Sequence, residues 1–418
     1  MLTKARDPDH AAFERKRSNA DNVIDSKSLE RALCEKPVST FSRRALKASS
    51  PSLKVFTRLE DAREAWRLLY GASPASPYQH YDYVRLWFDA FAREQAVEPR
   101  IAVLFDREGT PLALLPLAIH RRLGLRVAEL PCGRESNFNL ALARPGVPID
   151  VRSLLLEAAR RSPGGFDLYY LRNQPRRFGG RENPLIFADS GRSPSAAFGG
   201  ALFGSLERRL SPRARKRASY RLRRLTALGA LAFEHGATGA RRKAIVAALC
   251  AQKAARLSHL GRFNPYSTRA MARFLTALAE EERLEAHALS IDGRIVATYV
   301  GVAGHGRFSV LANSFDADEA VARYTPGELL LTALLENLSR RGFTHFDLGI
   351  GEAQYKDAVC DEAIELYDTI LAVSPAGGVA APLLWASLGC KRSIKRAPWL
   401  LRWFERLRRA RPLQAATI

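Results

Sequence analysis

The chain has 418 residues, 47% of them hydrophobic, and 65 Lys+Arg against 43 Asp+Glu give a formal net charge of +22. That length calls for two or three domains, and that apolar share excludes a wholly disordered chain. The basic balance favours polyanions as partners, whether nucleic acid, anionic lipid or phosphorylated substrates, although an arginine-rich surface alone accounts for it equally well.

Residues 1–50 are polar and charged with little periodicity, so a mostly disordered tail is expected there. Residues 1–20 are charged throughout and lack an apolar core, so no secretory leader is expected. From Ser52 the pattern becomes globular. Leu53–Phe56 reads as a strand and Leu59–Leu69 as a helix with Ala62, Trp66 and Leu69 on one face. A small-Ser-Pro-aromatic segment, Ala75-Ser-Pro-Tyr78, leads into an amphipathic helix over Val84–Phe91. Arg100–Phe105 and Leu112–Ile119 read as strands around a charged Gly turn, with a third strand at Leu125–Leu130. The loop Cys132–Asn139, carrying Arg134, Glu135, Ser136 and Asn137, is polar and sits where loops often carry function. A helix over Val151–Arg160 and a strand over Phe166–Leu171 follow, then an Arg/Gly/Ser/Pro-rich connection over 173–203.

The second half opens with the most basic stretch. Residues 207–224 hold nine Arg or Lys against one acid, Glu207, on a helix that Ser211 and Pro212 can start. Helices over Ala240–Leu257 and Thr268–Glu281 precede three strands, Leu284–Ser290, Ile295–Val302 and Phe308–Ser314. Their turns contain Asp292-Gly and Gly304-His-Gly, a strong hairpin signal. The strand, charged turn, strand, loop, strand order echoes Arg100–Leu130, a weak internal repeat of one α/β unit. Pro326 and Gly327 open a helix whose apolar positions are Leu329, Leu330, Ala333, Leu334 and Leu338. Thr344–Leu348 reads as a short buried strand with Asp347 near its end, and Gly349 and Gly351 let the chain turn before Glu352, Tyr355 and Lys356. A helix start with free amides, beside a strand end bearing carboxylate, phenol and amine, suits anion binding and proton transfer. Glu365–Val373 is a last strand. Residues from Lys391 are basic with Trp399, Leu400, Leu401, Trp403 and Phe404, the pattern of a packed helix or of one lying on an anionic membrane surface. The uncharged run 369–390, broken by Pro and Gly, is not expected to span a membrane.

No P-loop, HExxH, or Ser-His-Asp order is present. The five cysteines are far apart with no CxxC or Cys/His cluster, so no metal and no disulfide framework is expected, and a reducing cytoplasm fits.

Tyr324-Thr-Pro-Gly-x-Leu-Leu-Leu, followed by Phe346-Asp-Leu-Gly-x-Gly-Glu-x-x-Tyr-Lys356, resembles the CelD/BcsL-type acetyltransferases of the GNAT superfamily, whose relatives include the Fem-type aminoacyl transferases. The resemblance spans roughly Leu210–Val373 well and Pro51–Gly146 more weakly. It implies a tandem GNAT-like α/β fold, with mixed, mostly antiparallel sheets flanked by helices. The lobes would be 51–203 and 204–374, between a tail at 1–50 and a basic amphipathic tail at 375–418. It implies acetyl-CoA or another acyl-CoA as co-substrate, its pyrophosphate on the helix start at Gly327 with Arg323, Thr325 and Glu328 around it. Asp347 would be the general base with Glu352 second, Tyr324 or Tyr355 the acid for the leaving thiolate, and Lys356 an anion-steering group. The sequence departs from the superfamily's Arg/Gln-x-x-Gly-x-Gly/Ala signature, as the CelD-type pattern does. The implied acceptor is an amine or hydroxyl on a saccharide or small molecule, by analogy with exopolysaccharide loci. The alternatives are a Fem-like transferase taking its group from aminoacyl-tRNA, and a membrane scaffold on the same fold without catalysis.

Overall fold

Hydrophobic alternation and near-continuous apolar runs build two sheets in the computed structural model, which describes residues 51–187, 190–193, 195–202 and 211–396. The expectations for 1–50 and for the aromatic tail 397–418 lie outside the described residues. The first half runs β1 (Ser52–Phe56), α1 (Arg63–Ala72), α2 (Tyr81–Gln95), β2 (Glu98–Phe105), β3 (Pro111–Arg122), β4 (Leu125–Glu129), β5 (Leu142–Ala143), α3 (Val151–Arg161) and β6 (Leu168–Pro175). The stretch 173–203, read as a connection, is instead largely paired: a small hairpin of β7 (Arg177–Phe178) and β8 (Arg181–Glu182), then β9 (Ser190–Arg192) and β10 (Ala197–Ala201). Its Gly and Arg content hides short strands whose partners are remote in sequence.

The second half runs α4 (Pro212–Thr226), β11 (Leu231–Glu234), α5 (Gly239–His259), α6 (Arg269–Glu280), β12 (Glu285–Ile291), β13 (Arg294–Gly304), β14 (Arg307–Phe315), α7 (Glu319–Ala322), α8 (Pro326–Arg340), β15 (His345–Ile350), α9 (Gln354–Asp357), β16 (Glu362–Ile364), β17 (Leu366–Ala372) and α10 (Pro375–Arg396). Helix starts follow the caps read from sequence. Ser211 Oγ accepts from Ala214 N at 3.2 Å, and Thr268 Oγ1 from Met271 N at 3.3 Å.

The first sheet has the order β1-β2-β3-β4-β6-β17-β9, with β5 on β3, and the second β11-β12-β13-β14-β15-β10-β16. Each contains an antiparallel meander, a crossover helix and one parallel pair, β4 with β6 and β14 with β15. This is the repeated α/β unit that the echoing turns pointed to, built as mixed sheets flanked by helices. The two sheets also exchange strands. β10 leaves the first half to sit between β15 and β16, and β17 leaves the second to sit between β6 and β9. The β10 crossing is fixed by close backbone approach. A Cβ at Gly199 in β10 would meet Phe346 O at 2.5 Å, so only glycine lets β10 lie this close to β15.

One apolar core joins the halves: Trp66, Trp87, Phe88 and Phe91 of α1 and α2 pack with Leu249, Phe274 and Leu278 of α5 and α6. On the other face of the second sheet, Leu330, Leu334 and Leu338 of α8 cover Phe308, Val310 and Phe346. The uncharged Pro/Gly stretch after β17 forms α10. Ser374 Oγ accepts from Gly377 N at 3.1 Å, and Trp385 packs over Gly191, where a Cβ would meet its ring at 2.7 Å. Among the described residues no helix is long and apolar enough to cross a membrane.

Candidate functional site

The parallel pair β14/β15 is short. Arg307, Phe308 and Ser309 face His345, Phe346 and Asp347, and beyond these the ladder stops although β14 continues to Phe315. Opposite, the β13/β14 register shifts so that Val300 faces Ala312 and Gly301 faces Val310, leaving Leu311 as an extra residue. Such a bulge bends its strand and frees a backbone position from the ladder. A Cβ at Gly301 would meet Phe308 Cζ at 2.6 Å, so the bend depends on glycine there.

Where the strands part, the first half reaches in. The Tyr78 hydroxyl donates to Val310 O at 3.2 Å. Asn137 Nδ2 lies 2.9 Å from that hydroxyl and 3.1 Å from the same carbonyl. On the β15 side, a Cβ at Gly349 (φ +86°) would stand 3.0 Å from Asn137 Oδ1. Asn137 therefore spans the mouth of the gap. Beside it, Glu135 Oε2 accepts from Trp87 Nε1 at 3.0 Å, and its backbone carbonyl accepts from the Tyr83 hydroxyl. Burial pushes the Glu135 carboxyl above its ordinary range. The Tyr266 hydroxyl, in the turn Pro265–Ser267, lies within electrostatic reach of Glu135 and Cys250 and is pushed up to about 12, chiefly by burial.

At the other end, Thr325 precedes α8 in a left-handed conformation (φ 47°, ψ 61°), costly for a β-branched residue. Its Oγ1 is buried and has no partner among the described residues. A Cβ at Gly327 would meet nothing within 4 Å, so the first turn of α8 faces open space. Arg323 stacks on the Tyr324 ring at 5.0 Å, and Arg224 Nε points to the Tyr324 hydroxyl at 3.3 Å. The Arg224 hydrogen bond draws the Tyr324 hydroxyl below its ordinary value. Glu328 is turned to α4, where Arg221 Nη1 lies 2.7 Å from its carboxylate, so it faces a protein cation rather than the open space. Pro326 has no amide hydrogen and the Glu328 amide donates to Thr325 O at 3.0 Å, so an orphaned hydroxyl, the Gly327 amide and two neighbouring guanidiniums are the groups that fit a phosphate-bearing co-substrate.

Asp347 is fully buried in β15. Its Oδ1 accepts from Arg307 Nη1 at 2.6 Å and its Oδ2 from the Ser309 hydroxyl. Burial raises its carboxyl to about 6, against the lowering pull of Arg307. Glu352 stands exposed beyond the strand. The Lys356 ammonium is buried and donates to Gly349 O and Gly351 O, each at 2.9 Å, closing the turn after β15. Tyr355 is half-buried, and the Asn313 side chain of β14 hydrogen-bonds its hydroxyl, opposing the rise that burial causes. Thus the structure gathers Asp347, Tyr355 and Lys356 around the end of β15 and Arg323, Tyr324 and Thr325 at the start of α8. Glu135, Asn137 and Tyr78 come from the other half. Sequence pointed to their loop and to the Ser-Pro-Tyr turn, and not to their meeting β14.

Residues 212–357 match the family model of the acetyltransferase (GNAT) domain. The match lies within the second half of the chain and takes in α4 to α9. Among solved structures it is similar to FemX, with a TM-score of 0.52 at 10% identity over 73% of this chain and 98% of that one. It is also similar to a conserved protein of unknown function from Bacteroides thetaiotaomicron, with a TM-score of 0.50 at 12% identity over 77% of this chain and 100% of that one. These likenesses are ones of fold. No curated protein matches the chain.

Proposed function

We propose that the protein moves an acyl group, acetyl or longer, from acyl-CoA to an amine or hydroxyl on a saccharide or small-molecule acceptor. The observation that carries this reading is the parting of β14 from β15 beyond Ser309, with the open first turn of α8 behind it. In this reading the thioester arm lies along β14 between Val310 and Phe315. The Gly327 amide, the Thr325 hydroxyl and Arg323 hold the pyrophosphate. The motif's resemblance to CelD/BcsL-type acetyltransferases favours a sugar acceptor in polysaccharide synthesis.

Transfer needs a proton acceptor, a donor to the oxyanion and a proton for the thiolate. Glu135 is our candidate base, because it lies beside the gap and burial raises its carboxyl above the ordinary range. The acceptor nitrogen or oxygen attacks the thioester carbon and its proton passes to Glu135. The Leu311 amide, out of register in the bulge, is our candidate for the oxyanion. Collapse breaks the C–S bond, and Tyr355 gives the thiolate its proton. Asp347, enclosed by Arg307 and Ser309, then holds β14 to β15 at the point of parting and acts as a positioning residue.

Calorimetric titration of the full chain with acetyl-CoA, CoA and a long-chain acyl-CoA tests this. Saturable binding near 1 μM, about −8 kcal/mol, is expected, and a flat titration with all three would falsify the reading. The α4 surface favours a second reading, transfer from aminoacyl-tRNA: Arg213, Lys216, Arg217 and Arg223 are exposed, as is Tyr220 at 53%. Salt-sensitive binding of charged tRNA without CoA binding selects it. We also propose that α10, with Val379 and Leu383 exposed at 71% and 69%, rests on an anionic membrane surface through the basic sequence that follows. Sedimentation with vesicles containing phosphatidylglycerol, but not with neutral vesicles, is the expected result.

A further inference from the structure

Two cations of α5 stand at the gap without an anion to face. The Lys253 ammonium is half-buried, 5.5 Å from the centre of the Tyr266 ring, and Arg256 sits one turn further, 4.9 Å over the Phe315 ring. Arg256 is exposed, and among the described residues no carboxylate lies within ion-pair distance of either, whereas Lys243 on the same helix lies 2.8 Å from Glu280. Burial first, and then Arg256, pulls the ammonium down to about 8. A half-buried ammonium with no counter-ion costs free energy that a bound anion would offset.

Their position says what they face. Phe315 ends β14, the strand that carries the open gap. The Tyr355 hydroxyl lies within electrostatic reach of Arg256, and the Tyr78 and Tyr83 hydroxyls within that of Tyr266. Tyr266 in turn reaches Glu135. Lys253 and Arg256 therefore flank the acceptor side of the gap. The α8 start, with Arg323 and Arg224, is a separate set of cations carried by α8 and α4, although Phe315 and Tyr355 pack against that same cluster.

We infer that the acceptor carries a negatively charged group, a phosphate or carboxylate, seated between Lys253 and Arg256 with Tyr266 beneath it. The inference rests on the acyl-transfer reading for the word acceptor, and on the cations alone for the anion site. The geometry orients such a molecule: its anion is fixed on α5 while its amine or hydroxyl points to Glu135.

The test is amine-selective labelling of the full chain at pH 8 with a limiting anhydride reagent, followed by peptide mass spectrometry. It is run with saturating CoA, so that the α8 site is occupied, and with inorganic phosphate or acetate against chloride at equal ionic strength. Lys253, with its lowered pKa, is expected to label ahead of the exposed lysines. Phosphate or acetate is expected to slow its labelling about tenfold relative to chloride while Lys216 on α4 is unaffected, and Arg256→Gln is expected to remove most of that protection. Protection by phosphate alone assigns a phosphorylated acceptor, and protection by both a carboxylate-bearing one. Equal labelling in all three salts overturns the inference, as does undiminished protection in Arg256→Gln. If CoA fails to bind yet phosphate protects Lys253, the acyl-CoA reading falls and the anion site stands.

Discussion

The two halves share one plan and differ at the one place where the plan leaves an opening. In the first half β4 meets β6 at only two registers, Val127 with Leu168 and Ala128 with Tyr169, so a gap opens there too. The protein fills it with its own loop. Asn139 donates from its backbone to Asn173 O and from its side chain to Arg172 O, both at 3.0 Å, and Asn173 Nδ2 donates to Gly133 O at 3.1 Å. The helix that follows, α3, is capped by Asp150, whose carboxylate accepts from Ser153 N at 3.2 Å. An anion arriving there meets a carboxylate, where α8 has no side-chain cap and leaves the Gly327 amide open. A repeated fold has thus been divided into a closed half that lends side chains and an open half that can hold a co-substrate.

The sharpest way to break that comparison is to close the open side. Gly327→Glu places a carboxylate in the free space before α8 and is expected to weaken CoA binding about a hundredfold, since it sets like charges against each other near a helix start. Arg152→Glu, at the matching position of α3, is expected to leave CoA affinity unchanged. Calorimetry on both variants checks the pair, and equal losses would mean that the halves are not divided in this way.

Next in size are the groups assigned to chemistry. Glu135→Gln is expected to lower kcat about 100-fold with CoA affinity intact, the usual scale for a lost general base. Tyr355→Phe is expected to cost about tenfold and to remove the alkaline limb of the pH–rate profile. A Glu135→Gln variant with full activity would return the proton-acceptor role to Asp347 or Glu352.

Much of this was legible in the sequence because it is local. Asp292-Gly and Gly304-His-Gly set hairpins whose strands fall where the alternation placed them, and Ser211 and Thr268 cap the helices they precede. The α8 start and the end of β15 were found because both halves of the motif are contiguous. What escaped is non-local. Short strands such as β10 and β17 carry no mark of the sheet they join, since pairing is decided by neighbours more than a hundred residues away. Glu135 looks like any loop acid, and only packing against Trp87 from α2 and Tyr266 from the other half buries it enough to raise its pKa. Asp347 showed the reverse. Its place at the strand end was readable, whereas its enclosure by Arg307 and Ser309 depends on β14 lying parallel to it.

The closed gap offers a smaller test. Asn139→Ala removes a side-chain bond to Arg172 O inside the first half, and leaving that buried carbonyl short of a donor is expected to cost about 1–3 kcal/mol of stability. CoA affinity is expected to stay constant, because the Asn139 side chain bonds only Arg172 O of the first half and the contact with β14 is made by Asn137. A fall in affinity without a fall in stability would mean that the first gap also binds a ligand.

The smallest effect concerns pH. Asp347 has its carboxyl raised to about 6 in the folded protein, above the ordinary carboxylate value, so the native state holds a proton there that the unfolded chain has released. Where the native state binds more protons, stability falls as pH rises. The decline begins near the unfolded carboxylate value and levels off above about 6. Arg307 opposes it by favouring the ionised form, which keeps the slope shallow. Asp347→Asn, which cannot ionise, is expected to flatten this part of the profile, so the wild type minus variant stability should decrease between pH 4 and pH 6. Chemical denaturation of both proteins across that range measures it. A difference that grows with pH would mean that Arg307 outweighs burial, and that the carboxylate joining β14 to β15 is ionised throughout.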